Sequence, residues 1–397
     1  MNKKQVAVND LRLGMYVVEL DRSWIGTPFD FQGFPLTSDD QIKSLKVYCK
    51  FVYVDPEREQ WTPERRRASD QELRGSVLYR EVTPVETEVV VAKEIYQSCE
   101  KAIRQSLDNL RFEGEIESEK LTGAVTSMTE SIQRNPDAMM LLNTLREKGS
   151  YELGRAMDTS ILMITFGRFL QFPKDRLEVL GLAGMLLDVG KTKLPDAILK
   201  KQDMLSPDEY ESVKAHVLQS VELVRAAPDL PKGVDAIILE HHERQDGSGY
   251  PRGLRGDEIS IDGAIAALVD SFSALTSSRP YAEQSSPSNA LSLMHKLRGK
   301  LFHEALVEQF IQCIGIYPVG GAVELNTGEV ALVIAQNLVR RLQPRVMVIL
   351  DRDWSPIQPQ IILDLVKEPK ANEDEPYRIR RTLPKDKLPI DPSEFFL

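Results

Sequence analysis

HHERQDGSGYP, residues 241–251, sets two histidines, a glutamate and an aspartate into its first six positions and then breaks off in glycine, tyrosine and proline. Outward from it the chain reads as helix. ILMITFGRFLQF and LEVLGLAGMLL carry long apolar faces, and from 150 to 315 the spacing stays mostly helical. The glycines and proline of DGSGYP stop a helix and let the backbone turn tightly around whatever His241 and His242 hold. Only five histidines occur in the chain, and His216 joins these two on the same helical background. Any one histidine is ordinarily a core or capping residue, and any glycine-rich turn can be a plain helix end. Three together with Asp188 and Asp270 point instead to a metal. Imidazole plus carboxylate without thiolate suits iron, manganese, nickel or zinc and does not suit calcium. Asp188 and Asp270 each follow an apolar run, MLLDVGK and AIAALVDSF, where a carboxylate is costly to bury unless a metal or an arginine meets it. His295 and His303 read as ordinary surface histidines.

The bulk properties narrow the function classes. In 397 residues, 42% are apolar and 28% charged, so a sizeable core in two or three domains is expected. No apolar run approaches the ~20 residues a membrane helix needs, and MNKKQVAVNDLRLG has no apolar segment behind its lysines. The expectation is a cytoplasmic protein without a leader or membrane contact. Three scattered cysteines, Cys49, Cys99 and Cys313, read as reduced thiols. A net charge of −10 argues against a nucleic-acid surface, but leaves room for a small anion held by a few local cations.

The fold expected is mainly α, with small additions at both ends. Residues 1–70 form a small α+β domain, with MYVVEL and KFVYVD as strands and SDDQIKSLKVY as a helix. Residues 71–148 are a charged linker followed by a helical connector, a candidate dimerising hairpin whose helix stops and restarts at Asn135-Pro136-Asp137. Residues 149–315 are the all-helical domain. Residues 316–368 are a small β extension built from EVALVIAQN, RVMVILD and QIILDLV. Residues 369–397 are a polar tail.

LLDVGKTKLPDAIL, AHVLQS, HHERQDGSGYP, GLRGDEISI and VDSFSALTSSRPY, taken in this order and spacing, resemble the HD-GYP domain, a branch of the HD metal-dependent phosphohydrolases. GMYVVELDRSW and FVYVD resemble the N-terminal domain of unknown function often fused to it. The resemblance implies an all-helical fold binding two or three metals, commonly iron or manganese, and hydrolysis of cyclic di-GMP to pGpG or GMP. It makes Asp188 a bridging ligand, His216, His241 and His242 the histidines of one metal site, and Asp270 a ligand of the other. Lys191 would face the scissile phosphate. Gly249, Tyr250 and Pro251 are the signature turn, and Arg279 a cation near the ligand phosphates. Partnership with GGDEF-domain proteins through the turn is a further implication.

The departures point the same way. Leu187 stands where the resemblance calls for histidine, and Arg155 aligns with the family's earlier histidine. Leucine offers no lone pair, and guanidinium has donors only. Ser273 replaces an aspartate, Ala264 an arginine and Gln245 a tryptophan. The expectation is that Arg155 supplies a fixed charge between Asp188 and Asp270 in place of a metal. The alternative for Arg155 is a surface salt bridge at a helix start. At most one ion, or none, would then bind, and turnover would be impaired. The competing reading is an inactive module that senses cyclic di-GMP or docks a partner, for which Lys191, Arg252, Arg255 and Arg279 are the available cations.

Overall fold

The computed structural model describes residues 3–395 apart from 23–26, 28, 30–32, 37–38, 56–72, 113, 147–150, 200, 202, 278–284, 338, 373–374, 385–387 and 392–394. Most of the charged linker, part of the TPFDFQGFP loop, and Arg279 therefore lie outside the described residues. The chain divides into two compact units, Met1–Arg74 and Gly75–Leu397.

In the first unit, β1 (Lys4–Ala7), β2 (Tyr16–Leu20), β3 (Phe34–Pro35) and β4 (Phe51–Val54) pair antiparallel in the order β1-β4-β2-β3. MYVVEL and KFVYVD are strands as expected, and α1 (Asp39–Tyr48) is the helix between them. In β4, Val52 and Val54 are buried while Phe51 and Tyr53 are half-buried, the alternation that a one-sided sheet imposes. Leu20, Leu36 and Leu45 complete that core.

The second unit opens with α2 (Val85–Phe112), α3 (Ser118–Arg134) and α4 (Pro136–Leu145). Val85, Ala92, Tyr96, Cys99, Ile103 and Leu110 recur at intervals of three, four or seven and bury one face of α2. Glu88 is buried on that face because Arg134 (2.8 and 2.9 Å) and the Ser131 hydroxyl (2.8 Å) meet its carboxylate. Asn135 ends α3, and its side chain accepts from the Asp137 amide (2.9 Å) to start α4, with Pro136 at the first helical position.

The helices that carry the site follow: α5 (Tyr151–Phe169), α6 (Lys174–Leu186), α7 (Asp196–Leu199), α8 (Pro207–Lys214), α9 (His216–Ala226), α10 (Val234–Glu240), α11 (Ile261–Thr276), α12 (Pro287–Leu297) and α13 (Glu304–Ile314). Helices α5 and α6 pack side by side. Their hydroxyls close the seam, Ser160 donating to the Gly181 carbonyl (2.8 Å) and Thr159 to that of Gly184 (2.5 Å).

A five-stranded antiparallel sheet ends the chain: β5 (Ala322–Leu325), β6 (Val330–Ala335), β7 (Arg345–Leu350), β8 (Pro356–Asp364) and β9 (Ile379–Leu383), in the order β8-β7-β6-β5-β9. The three β-branched runs supply β6, β7 and the end of β8. The polar tail supplies β9, whose Arg380 and Arg381 reach the buried Glu324 at 3.0 and 2.8 Å. The sheet is tied to the helices where the Gln336 amide donates to Asp137 (2.9 Å) and Arg345 pairs with Glu86. Among the described residues no helix is long and apolar enough to cross a membrane.

Candidate metal centre

Asp188 leaves the end of α6 and enters a short 3-10 turn, Val189–Lys193. Ser220 of α9 pins this turn, donating to the Leu187 carbonyl (3.0 Å) and accepting from the Gly190 amide (2.8 Å). A Cβ at position 190 would lie 2.2 Å from the His216 carbonyl oxygen, so only glycine lets the turn press against α9. The result places Asp188 Oδ1 3.3 Å from His216 Nε2.

His241 and His242 follow α10 directly. Two buried glutamates shape the turn after them. Glu243 accepts from the amides of Arg252 (2.7 Å) and Leu254 (2.9 Å), and Glu240 accepts from the Ser260 amide (2.9 Å) and the Arg252 guanidinium (2.7 Å). The Tyr250 amide donates to the His242 carbonyl (3.2 Å), folding the turn back over the histidines. A Cβ at Gly249 would meet the Arg244 amide at 2.4 Å. Tyr250 then stacks on His242 with ring centres 4.6 Å apart, and the Tyr250-Pro251 bond is cis.

One ligand atom each from Asp188, His216, His241 and His242 converge within 4.8 Å of one another. His216 and His241 turn Nδ1 toward the carbonyls of Val213 and Ile238, each at 2.6 Å. Those contacts assign the proton to Nδ1 and leave the Nε2 lone pair facing inward. Both Nε2 atoms and Asp188 Oδ1 are buried without a hydrogen-bond partner. Three buried acceptors aimed at one point, with no donor among them, are what a divalent cation would satisfy. Burial pushes the His241 imidazolium down to about 4 and holds that of His242 well below its usual range, so both keep a free lone pair at neutral pH. Burial opposes ionisation of Asp188, but the nearby cations, Lys191 before Arg155, outweigh it and hold the carboxyl well below the usual range. Lys191 Nζ lies 2.8 Å from Asp188 Oδ2.

The other half of the expected centre is built differently. Leu187 is buried at 1% exposure. Arg155 is buried at 7%, so it is no surface salt bridge. Its guanidinium pairs with one carboxylate oxygen of Asp270 and reaches the Asp270 carbonyl at 3.3 Å. Its direct ion pair is thus with Asp270, its charge also acts on Asp188, and Lys191 lies on the second oxygen of Asp188. Asp270 is not brought into the histidine group. One turn along both helices, the Ser273 hydroxyl donates to Asp158, which also accepts from Asn143 (2.6 Å). Ala264 is buried, and the backbone of Gln245 bonds to Leu301 and Gly256.

Three further readings change. His303 is half-buried and caps α13, accepting from the Leu306 amide (3.3 Å). His295 is half-buried beside Arg298. Arg252, expected to be an available cation, pairs with Glu240 at 2.7 Å. The sequence had singled out neither Glu240 nor Glu243 as an anchor. Their signal was two carboxylates flanking the paired histidines just ahead of a glycine-rich turn, whose amides need acceptors.

A model of the HD domain matches residues 139–306, and one of the domain of unknown function DUF3391 matches residues 3–121. The chain is 31% identical over 369 residues to a cyclic di-GMP phosphodiesterase of Pseudomonas aeruginosa, covering 91% of this chain and 89% of that one. A cyclic di-GMP phosphodiesterase of Thermotoga maritima is 42% identical over 132 residues, 33% of this chain and 36% of its own. A cyclic di-GMP phosphodiesterase response regulator of Xanthomonas campestris pv. campestris is 37% identical over 144 residues, 36% of this chain and 38% of its own. With the HD domain behind DUF3391, and a relative this similar along nearly its whole length, the chain belongs to the HD-GYP family of HD-domain proteins.

Proposed function

We propose that this protein binds cyclic di-GMP at a centre holding one divalent ion, iron or manganese, and that its hydrolysis to pGpG or GMP is impaired. The observation that carries the reading is the buried Arg155–Asp270 ion pair, with Leu187 buried and the group of Asp188, His216, His241 and His242 intact. Two-metal phosphodiester hydrolysis uses one ion to generate the attacking hydroxide and another to hold the phosphoryl oxygens, and a single bound ion would supply one of these roles. The four ligands would hold that ion. Lys191, 30% exposed on its side chain, would take a phosphate oxygen, and Tyr250 with its neighbours Gly249 and Pro251 would position the nucleotide. Arg279 would add a cation. Arg155 contributes charge but no ligand atom.

The same ion pair also favours a second reading, a sensor that binds cyclic di-GMP unchanged and passes the signal to a partner such as a GGDEF-domain protein. One experiment separates them. The full chain is purified anaerobically, loaded with Fe(II) or Mn(II), its metal counted, and pGpG and GMP followed by chromatography. Expected are one ion per chain and slow or no product, with the ion lost in His241→Ala. Two ions per chain with rapid turnover would overturn the impaired-centre reading. In the double variant Arg155→His, Leu187→His, the metal count should rise towards two, and an unchanged count would sink the assignment of these positions.

A further inference from the structure

Helix α8 leads into His216 of the candidate metal group and supplies none of its four ligand atoms. A capping box fixes the start of α8. The Ser206 hydroxyl accepts from the Glu209 amide (3.2 Å), and Glu209 accepts from the Ser206 amide (2.6 Å). The helix runs through Ala215 straight into His216, so its side chains keep a set distance from the metal group. Tyr210 and Lys214 stand four residues apart on one face of α8. Lys214 Nζ lies 4.9 Å from the centre of the Tyr210 ring and 5.5 Å from that of Tyr250. Tyr250 in turn lies on His242 of the metal group. A single ammonium therefore stands near two aromatic rings, one packed on the metal group and the other 49% exposed. The other partner of Lys214 is Glu211, at 2.6 Å, itself 69% exposed, and such pairs exchange readily with a competing anion.

Resting on the function proposed above, we infer that Tyr210 and Lys214 are specificity-determining residues for the cyclic dinucleotide: Tyr210 stacks a purine base and Lys214 takes an oxygen of a phosphate. A purine has a π-face for an exposed ring, and a cyclic dinucleotide carries a second phosphate within reach of a cation beside it. A simple phosphoester has neither a base to stack nor a second anion. The pair thus selects for a dinucleotide at a centre whose metal group alone would accept any phosphate.

The test is calorimetric titration of the full, Mn(II)-loaded chain with two probes, cyclic di-GMP and inorganic phosphate, alongside thermal melting. Tyr210→Ala and Tyr210→Leu should each raise the Kd for cyclic di-GMP about 5- to 150-fold, the loss of one base-stacking contact. Tyr210→Phe should restore it to within about 2-fold, because the ring and not the hydroxyl makes the contact. Phosphate binding and the metal count should not move in any Tyr210 variant. Lys214→Gln should weaken cyclic di-GMP and flatten its dependence on salt. Tyr210→Leu binding cyclic di-GMP like the parent, or losing phosphate in parallel, overturns the role of Tyr210. Lys214→Gln with unchanged affinity overturns that of Lys214. A parent chain that binds phosphate and Mn(II) but no cyclic di-GMP refutes the functional reading itself, and this inference with it.

Discussion

Asp188 and Asp270 present the same physical problem and solve it in opposite ways. Each follows an apolar helical run, and each would be expensive to bury as a bare anion. Asp188 faces lone pairs: two histidine nitrogens and its own Oδ1 are left without donors, an arrangement that a cation from solution would complete. Asp270 faces a guanidinium carried by the chain itself. The difference separates a charge that the protein would borrow from one that it owns. A borrowed ion can activate water and be removed by a chelator. An owned arginine ties helices α5 and α11 together with or without a metal, and lowers no pKa of a bound water.

The owned side is the place to expect the largest loss of stability. Arg155 and Asp270 are 8% and 9% exposed on their side chains. Removing one partner of such a pair strands a buried charge, and Arg155→Ala should cost about 3–5 kcal/mol in urea unfolding. Replacing both, as Arg155→Met with Asp270→Leu, should recover most of that loss, because two apolar side chains leave no charge stranded. A single variant that melts like the parent would show that the pair is not what holds this side closed.

The borrowed side should respond to metal by a smaller amount that is set by concentration. Mn(II) at one hundred times its Kd should stabilise the fold by about 2.7 kcal/mol by linkage. Excess chelator should reverse this, and His241→Ala should abolish it. Arg155→Met with Asp270→Leu should keep the full Mn(II) response, since neither residue belongs to the histidine group. Loss of the response in that variant would show that the two sides are one centre.

These contrasts were partly legible in the sequence. HHERQDGSGYP and LLDVGK fixed the register of the histidine group, because helix stops and glycines leave little freedom in which side chains meet. MYVVEL and KFVYVD announced strands through their alternation. What the sequence hid were partnerships across distance. Arg155 could be read as a fixed charge between Asp188 and Asp270, but nothing local said that its direct ion pair would fall on Asp270 with Lys191 on Asp188. The strand Ile379–Leu383 passed for tail because Arg380 and Arg381 look solvated. The signal for it sat elsewhere, in Glu324, an acid placed in the apolar strand AVEL that required a cation. Local patterns give the elements; a charge inside an apolar segment tells only that a partner exists.

The smallest of the expected effects concerns whether the owned side is one pair or a ladder. Arg155 meets Asp270 and Asp158 meets Ser273, the same offset three residues further along both helices, so α5 and α11 run in the same direction with two polar rungs between them. The hydroxyl of Ser273 donates to a carboxylate that is 16% exposed and retains a second donor in Asn143. Ser273→Ala should therefore fall at the low end for a hydrogen bond to a charged group, about 1.5 kcal/mol. Combined with Arg155→Ala, the two losses should fail to add by at least ~0.5 kcal/mol, since rungs that share a helix seam relax together. Strict additivity would mean that each rung stands alone. Ser273→Asp, the residue that the family resemblance calls for, should be worse than alanine here, because it sets a carboxylate against Asp158. Serine at 273 then belongs with arginine at 155: both suit a seam that carries its own charges.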